Sequence, residues 1–122
     1  MLLVYDITNK RSYDSIHTWL SEFKARNDKD SAVIYLLGNK SDLENERKVS
    51  YEQGRMLQEE LKLDDFYECS AKDNSNIKEM FDKFYMDVYY KNKDKSNKHR
   101  QENKALFEDK QIDMKANCGK CC

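Results

Sequence analysis

Glycine is scarce in this sequence, and the few glycines lie far apart. The 122 residues include three, Gly38, Gly54 and Gly119. A phosphate-binding loop of the form Gly-x-x-x-x-Gly-Lys-Ser/Thr needs closely spaced glycines, because its backbone N–H groups must approach the phosphates. No stretch of the chain has that spacing, so the sequence contains no recognisable loop of this kind.

Long apolar runs are also lacking. The first five residues are apolar, but Asp6 follows at once, so the run is too short for a signal peptide or for crossing a bilayer. We therefore expect a cytosolic chain. At 122 residues it has room for one small domain at most.

Cysteine and histidine are few, and their spacing fits neither a disulfide framework nor a catalytic triad. Cys69 lies in an apolar stretch, and the other three cysteines lie within the last five residues, which is no disulfide framework. Neither His17 nor His99 has a neighbouring nucleophile and carboxylate. We expect surface or packing roles for both histidines.

Charge is unevenly distributed along the chain. Residues 1–90 contain 13 Lys and Arg against 18 Asp and Glu, whereas residues 91–122 contain 9 against 5. Acidic residues interrupt the basic end too often for a nucleic-acid arm, which needs clustered phosphate contacts. We expect no nucleic-acid partner and a weak attraction to anionic membrane surfaces.

Apolar residues follow two alternating patterns along residues 1–90. Two continuous apolar runs that end at polar residues are typical of buried parallel strands, and the short segment Phe66-Tyr67-Glu68-Cys69 is a third predicted strand. After each run, apolar residues recur every three or four positions, which indicates amphipathic helices. The predicted strands are 2–5, 32–38 and 66–69, and the predicted helices are 12 to 27 or 28, 50 to about 62, and 77 onward. We predict an α/β fold with three strands, mostly parallel, alternating with three helices.

Two of the predicted helices carry additional signals. Ser50 and Gln53 form a capping box, in which each side chain satisfies a free backbone N–H at the start of the second helix. In the first helix, Trp19 belongs to the apolar stripe, so we expect it to pack on the helix face rather than to stack on a base. The members of that stripe are Tyr13, Ile16, Trp19, Leu20 and Phe23.

Polar motifs follow two of the predicted strands at their carboxyl ends, where parallel sheets bind ligands. Asn39-Lys40-Ser41-Asp42 follows the second strand and Ser70-Ala71-Lys72 follows the third. With Leu3-Val4-Tyr5-Asp6-Ile7-Thr8-Asn9, Trp19-Leu20 and Glu68-Cys69, they resemble the base-binding motifs of Ras-superfamily GTPases, and the flanking residues resemble the Rab family. The resemblance covers about residues 1–90 and the last two cysteines. It implies the C-terminal part of a P-loop GTPase fold.

The chemistry of guanine suits Asp42. Guanine presents two adjacent donors, N1–H and the N2 amino group, and one ionised carboxylate can accept both. Adenine has an acceptor at N1 and no amino group at C2, and a polar mismatch of this kind can cost about 10⁴-fold or more in affinity. The resemblance also implies that Ser70 holds the loop through a bond to the Asp42 carboxylate.

The resemblance implies four more residues of the guanine site. The Asn39 amide either meets the far edge of the base or ties the two loops together, and the Ala71 N–H donates to the guanine carbonyl oxygen. Lys40 and Lys72 lay their methylene stems on the base faces. The expected ligand is accordingly GTP or GDP.

The resemblance places several elements before Met1. These are the phosphate-binding loop, the Mg²⁺ ligands, the residue that orients the attacking water and both switch segments. Mg²⁺ is thus implied by the family alone, and we expect no catalytic or metal-binding residue in this chain. The family hydrolyses GTP, but we expect the chain as given to be inactive, so its status as an enzyme stays open. The first strand would also be an exposed apolar edge.

Beyond about Lys93 the apolar periodicity ends. We therefore divide the chain into a domain at 1–93 and a flexible tail at 94–122. The last residues, Cys121 and Cys122, resemble the double-cysteine ending of Rab proteins, in which both thiols carry geranylgeranyl groups, and two lipid chains suffice for stable anchoring. Leu106-Phe107 resembles the apolar doublet that engages the prenylation escort protein, with a stray apolar pair as the alternative.

The same cysteines allow another interpretation. Cys118-Gly-Lys-Cys121 has the spacing of a zinc or redox pair. Structural zinc needs four ligands, however. Apart from Cys122, the nearest further candidate ligand of the usual Cys or His type is His99. A redox pair belongs between a strand and a helix rather than near a terminus, so the lipid-attachment interpretation is favoured.

Taken together, the resemblance implies a membrane-anchored GTP/GDP switch in vesicle-mediated protein transport, at the cytosolic face of intracellular membranes and cycling with the cytosol. The implied partners are guanine nucleotide, the membrane, the prenylation escort protein and transferase, GDP-dissociation inhibitor, exchange factors and effectors. One alternative is a non-enzymatic prenylated fragment that retains no nucleotide. Another is an incomplete gene model of a complete GTPase.

Overall fold

Strands and helices alternate along the chain, as the apolar pattern predicts. The computed structural model describes residues 1–27 and 31–118, without the side chains of residues 99 and 102–118. In chain order the elements are β1 (Leu2–Asp6), α1 (Lys10–Asp14), α2 (Ile16–Arg26), β2 (Tyr35–Asn39), a 3₁₀ turn (Glu44–Glu46), α3 (Tyr51–Glu60), β3 (Asp65–Glu68) and α4 (Ile77–Cys118).

The three strands form one parallel sheet in the order β1-β2-β3. β2 is central, and its residue Gly38 lies opposite Tyr5 on one side and Glu68 on the other. The carboxyl ends of β2 and β3 therefore reach the same edge of the sheet. The predicted α/β class with parallel strands is confirmed.

Alternate residues of the strands face two separate apolar clusters, because successive side chains of a strand point to opposite faces. Helices α2 and α3 cover one face, and the part of α4 up to Val88 packs on the other. Buried members of the first cluster include Leu3, Tyr5, Leu36, Phe66, Ile16, Leu20 and Leu57. Those of the second are Val33, Tyr35, Leu37, Cys69 and Met80.

Within the described residues, β1 has β2 as its single strand neighbour. Val4 lies on the face that α4 partly covers, opposite Leu37, and its exposed fraction is 53%. β1 is thus an apolar edge strand in this part of the chain, as the sequence led us to expect.

The second strand is shorter at its start than its apolar run predicts. Residues Val33 and Ile34 are buried, but pairing begins at Tyr35. The Ile34 N–H donates to the Asp64 carboxylate at 2.7 Å instead of to a strand neighbour. Buried apolar residues at the start of the run are therefore not all part of the paired strand β2.

The first predicted helix is divided into α1 and α2. Asn9 caps α1 by accepting from the N–H groups of Arg11 and Ser12, so the helix starts two residues earlier than predicted. The two helices meet at Ser15, whose own conformation is helical. The expectation that Trp19 packs on the buried helix face is wrong, since its exposed fraction is 57%.

Helix α4 continues far beyond the predicted end of regular structure. The backbone is helical to Cys118, where we expected a flexible tail from residue 94. The Lys, Glu, Gln and Ala residues of this stretch are good helix formers. The chain divides into two compact units, Met1–Val88 and a second that starts at Tyr89. The division into a domain at 1–93 and a lipid-bearing tail stays a prediction.

Helix α3 begins as predicted and packs closely on the sheet. The Ser50 hydroxyl accepts from the Gln53 N–H at 3.1 Å, and the Gln53 side chain accepts from the Ser50 N–H at 2.9 Å. One turn later Gly54 is buried against β1 and β3. A Cβ at position 54 would lie 2.5 Å from the Tyr5 hydroxyl oxygen and 2.4 Å from the Phe66 ring.

Gly54→Ala is expected to destabilise the protein, although alanine is the better helix former. The clash with Tyr5 and Phe66 should cost about 1–3 kcal/mol, which outweighs the roughly 1 kcal/mol gained in helix propensity. Urea unfolding of both proteins measures the difference. Met56→Ala, at an exposed position of the same helix, serves as the control and should change stability by about 0.5 kcal/mol or less. A more stable Gly54→Ala protein would contradict this packing.

Candidate guanine-binding site

Backbone hydrogen bonds join the two polar loops at the carboxyl edge of the sheet. The Cys69 N–H donates to the Gly38 carbonyl at 2.8 Å, and the Ser41 N–H donates to the Cys69 carbonyl at 3.1 Å. These bonds extend the β2–β3 pairing past the last strand residues. The Asn39–Asp42 loop and the Ser70–Lys72 loop are thereby brought side by side.

The Asp42 carboxylate is held by Ser70. The Ser70 hydroxyl donates to Asp42 Oδ1 at 2.7 Å, and its oxygen accepts from the Asp73 N–H at 3.3 Å. Ser70 is fully buried, with an exposed fraction of 0%, and its backbone N–H donates to the Ser75 carbonyl at 3.2 Å. The orientation of Asp42 is therefore set from the second loop, through the contact that the resemblance implies.

Asn39 also links the two loops. Its side-chain oxygen, Oδ1, accepts from the Ala71 backbone N–H at 3.2 Å. This is a contact between the loops, one of the two roles that the resemblance implies for the Asn39 amide, and it places the Ala71 N–H beside the Asp42 loop. The contact with the base stays a prediction.

Lys40 adopts a backbone conformation that is unusual for a residue with a side chain. Its φ is 66°, in the left-handed region that glycine prefers. The Leu43 N–H donates to the Lys40 carbonyl at 2.9 Å and closes a tight turn. At the far end of the side chain, Lys40 Nζ lies 2.7 Å from Asp6 Oδ2 at the end of β1.

A cavity of about 290 Å³ opens between the two loops, near the lower end of the range for small-ligand pockets, roughly 300–1,000 Å³. It is lined by Asn39, Lys40, Asp42, Leu43, Ala71 and Lys72. Five of these were predicted from the sequence. The sixth predicted residue, Ser70, lies buried behind Asp42 rather than on the wall.

Leu43 and Asp6 were not predicted as site residues. Leu43 supplies apolar surface to the cavity, and Asp6 anchors Lys40. A signal for Asp6 existed in the sequence, because it ends the first strand and so reaches the same edge as Asn39, its partner in the sheet. A single acidic residue at a strand end has many structural uses, and so it did not stand out.

The Asp6 carboxyl is charged more readily than usual. Burial by itself would raise its pKa, but a hydrogen bond from Lys40 and two from Thr8 together hold the pKa below the ordinary value of 3.8. The two Thr8 bonds come from the side chain at 2.7 Å and from the backbone N–H at 2.9 Å. The Asp6–Lys40 ion pair is accordingly present at neutral pH.

Arg47 forms a second polar cluster near the loops. Its Nε and Nη2 donate to Glu44 at 2.9 and 2.7 Å, its Nη1 and Nη2 donate to Glu68 at 2.6 and 2.8 Å, and its Nη1 also donates to the Val49 carbonyl at 2.9 Å. All five N–H donors of a guanidinium are thus used. Hydrogen bonding to Glu68, and then to Glu44, raises the pKa of Arg47 above its usual range.

The described residues hold neither a metal-binding cluster nor a membrane-spanning helix. No group of three or more His, Cys, Asp and Glu side chains is arranged to hold a metal ion within the described residues. In the same part of the chain, no helix is long and apolar enough to cross a membrane. The predicted lipidation residues, Cys121 and Cys122, lie outside the described residues.

Asp6→Asn is expected to reduce stability at pH 7 and to have less effect in acid. Because the folded-state pKa of Asp6 is lowered, its contribution is present above the unfolded-state pKa and is lost as pH falls through the folded-state pKa. Urea unfolding of both proteins from pH 7 down to about pH 3 measures this. Asp14→Asn removes the exposed pair with Lys10 and should have little effect at any pH. A loss that does not vary with pH would rule out the ion pair as its cause.

Comparison with known proteins places this chain in a family. A family model described as the Ras family matches residues 1–90. The Homo sapiens Ras-related protein Rab-3A is 44% identical over 82 residues, and the Caenorhabditis elegans Ras-related protein Rab-3 is 43% identical over 82 residues. Each alignment covers 67% of this chain and 36% of the relative, so the chain spans about a third of the length of the curated relatives it matches. The chain belongs to the Ras family, and its similarity is to the Rab-type GTPases of that family.

Proposed function

We propose that this chain recognises the guanine base of GTP and GDP at the cavity between its two polar loops. The observation that carries the proposal is that one cavity is lined by Asp42, whose carboxylate is oriented by Ser70, and by Ala71 of the second loop, which has a backbone N–H donor. An acceptor and a donor on facing loops match the donor and acceptor pattern of the guanine pairing edge. Membership of the Ras family supports the same ligand.

Each wall of the cavity has its own part in this proposal. Asp42 accepts from N1–H and the N2 amino group, because a carboxylate has enough lone pairs for two donors in addition to Ser70. The Ala71 N–H turns from Asn39 to the guanine carbonyl oxygen. Lys40 and Lys72 cover the two faces of the base with their methylene stems.

Mg²⁺ and the phosphates require different groups. In the family, Mg²⁺ neutralises phosphate charge with the help of a phosphate-binding loop. The described residues contain no fitting cluster of metal ligands, and no glycine-rich loop is present in the sequence. We therefore assign base recognition to this chain and derive no hydrolytic step from its residues.

Asp42→Asn is expected to reverse the base preference of the chain. Guanosine affinity should fall by at least about tenfold, because the amide no longer accepts two N–H groups. Xanthosine affinity should rise, since the Asn amide can donate to the carbonyl that xanthine carries at C2. Titrations of the ¹H–¹⁵N NMR spectrum with guanosine, xanthosine and adenosine measure the three affinities.

Asp82→Asn, at an exposed position of α4, is the matched control and should leave all three affinities unchanged. Equal binding of guanosine and adenosine by the unmodified chain would overturn the proposed function. Guanosine affinity that survives Asp42→Asn would overturn the role of Asp42.

We further infer that Cys121 and Cys122 attach the protein to intracellular membranes through geranylgeranyl groups, and that it acts in vesicle-mediated transport as Rab-type proteins do. Support comes from the double-cysteine ending and from the need for two lipid chains in stable anchoring. The prenylation escort protein, the transferase, GDP-dissociation inhibitor, exchange factors and effectors are the corresponding partners. Without nucleotide retention, the same ending would make the chain a non-enzymatic prenylated protein.

Mass spectrometry of the protein from its native cells should find two isoprenoid groups on the C-terminal peptide. Cys121→Ser with Cys122→Ser should remove both groups and shift the protein from the membrane to the soluble fraction. Cys69→Ser is the control, because Cys69 is buried and should not affect lipidation. Zinc or a Cys118–Cys121 disulfide, in place of lipid on Cys121, would refute the lipid attachment.

A further inference from the structure

Arg47 lies between the two loops of the base site without lining the cavity. The 3₁₀ turn that carries Glu44 begins directly after Leu43, so the bonds from Arg47 to Glu44 reach the end of the first loop. Glu68 is the last residue of β3 and directly precedes the Cys69-Ser70 segment, so the bonds to Glu68 reach the start of the second loop. One guanidinium thus connects the segment after the first loop with the residue before the second loop.

The Glu68 side chain packs over Gly38 of the central strand. Its Cγ lies 3.2 Å from the position that a Cβ on Gly38 would occupy, and the Tyr5 hydroxyl oxygen lies 2.9 Å from the same position. The side chain of Glu68 is 11% exposed and that of Arg47 is 17% exposed. A carboxylate packed in this way has few alternative positions. Because Arg47 binds this carboxylate and also Glu44, it restrains the end of the first loop relative to β3.

The shape of arginine suits this arrangement. Its planar group offers donors in a rigid fork, so it can bind Glu68 through two parallel bonds and Glu44 through two more. Lysine carries the same charge as a single point and lacks the fork. The Arg47–Glu68 pair is mostly buried, whereas the Glu44 side chain is 67% exposed. A buried ion pair is by itself weak evidence for stability, so we consider a role in holding one conformation.

We propose that Arg47 is a positioning residue for base recognition, which sets the separation between Asp42 and the Ala71 N–H by clamping Glu44 to Glu68. Arg47 contacts no base. It acts through the two loops, whose donor and acceptor must match guanine in both direction and distance. The proposal rests on the guanine-binding function proposed above.

The test compares Arg47→Lys and Glu68→Gln with Arg55→Lys in the full chain. Arg55 pairs with Glu59 at 3.6 Å, and both side chains are more than 60% exposed, so Arg55→Lys repeats the substitution at a surface pair. Guanosine affinity is measured by NMR titration where each variant is fully folded. Hydrogen exchange is measured without ligand at the loop amides of Ser41 and Ala71 and at the β2 amides of Leu36 and Leu37.

Arg47→Lys and Glu68→Gln should each weaken guanosine binding about tenfold and should speed exchange at Ser41 and Ala71 by a similar factor, a change typical for the loss of one charged hydrogen-bond pair. Exchange at Leu36 and Leu37 should not change, and Arg55→Lys should alter neither quantity. If one variant fails to fold, the other still tests the clamp.

A purely structural role predicts a different outcome. Exchange would then rise equally in the loops and in β2, and guanosine affinity of the folded molecules would stay the same, which would overturn the proposal. If the unmodified chain binds no guanosine, the proposed function fails. The exchange pattern still decides whether Arg47 positions the two loops.

Discussion

The candidate site depends on the parallel pairing of β2 with both of its neighbours. Parallel strands end at the same edge of a sheet, and here Gly38 lies level with both Tyr5 and Glu68. A shift of one residue between β2 and β3 would turn every side chain of one strand to the opposite face. It would also move Ser70 away from Asp42 and break their hydrogen bond. The two apolar clusters that cover the sheet therefore also fix the geometry of the loops.

Much of this arrangement could be predicted from the sequence, because its causes are local. Continuous apolar runs marked the first two strands and a short, mostly apolar segment marked the third. Helical periodicity marked the helices, and the Ser50–Gln53 pair marked the start of α3. The polar motifs could be placed at one edge because the strands are parallel. The Ser70–Asp42 contact followed from the family resemblance, and five of the six cavity-lining residues lie in the two motifs.

Other features could not be predicted because they depend on contacts between distant parts of the chain. Arg47 looks like any surface arginine until Glu68, 21 residues away, is brought beside it. The start of β2 depends on Asp64, which takes the Ile34 N–H. Trp19 fits the apolar stripe of its helix, yet Ile16 and Leu20 of the same stripe are buried whereas more than half of the Trp19 side chain is exposed. The pattern of a single segment cannot show which part of an apolar stripe finds a partner.

The left-handed backbone of Lys40 affects how the loop tolerates mutation. Glycine at this position would relax the backbone but would remove the cation that pairs with Asp6. A β-branched residue would fit neither the backbone nor the ion pair. Position 40 thus needs a long, positively charged side chain on a backbone that disfavours any side chain. Although 49% of this side chain is exposed, few amino acids can replace it, so exposure is a poor guide to mutability in this loop.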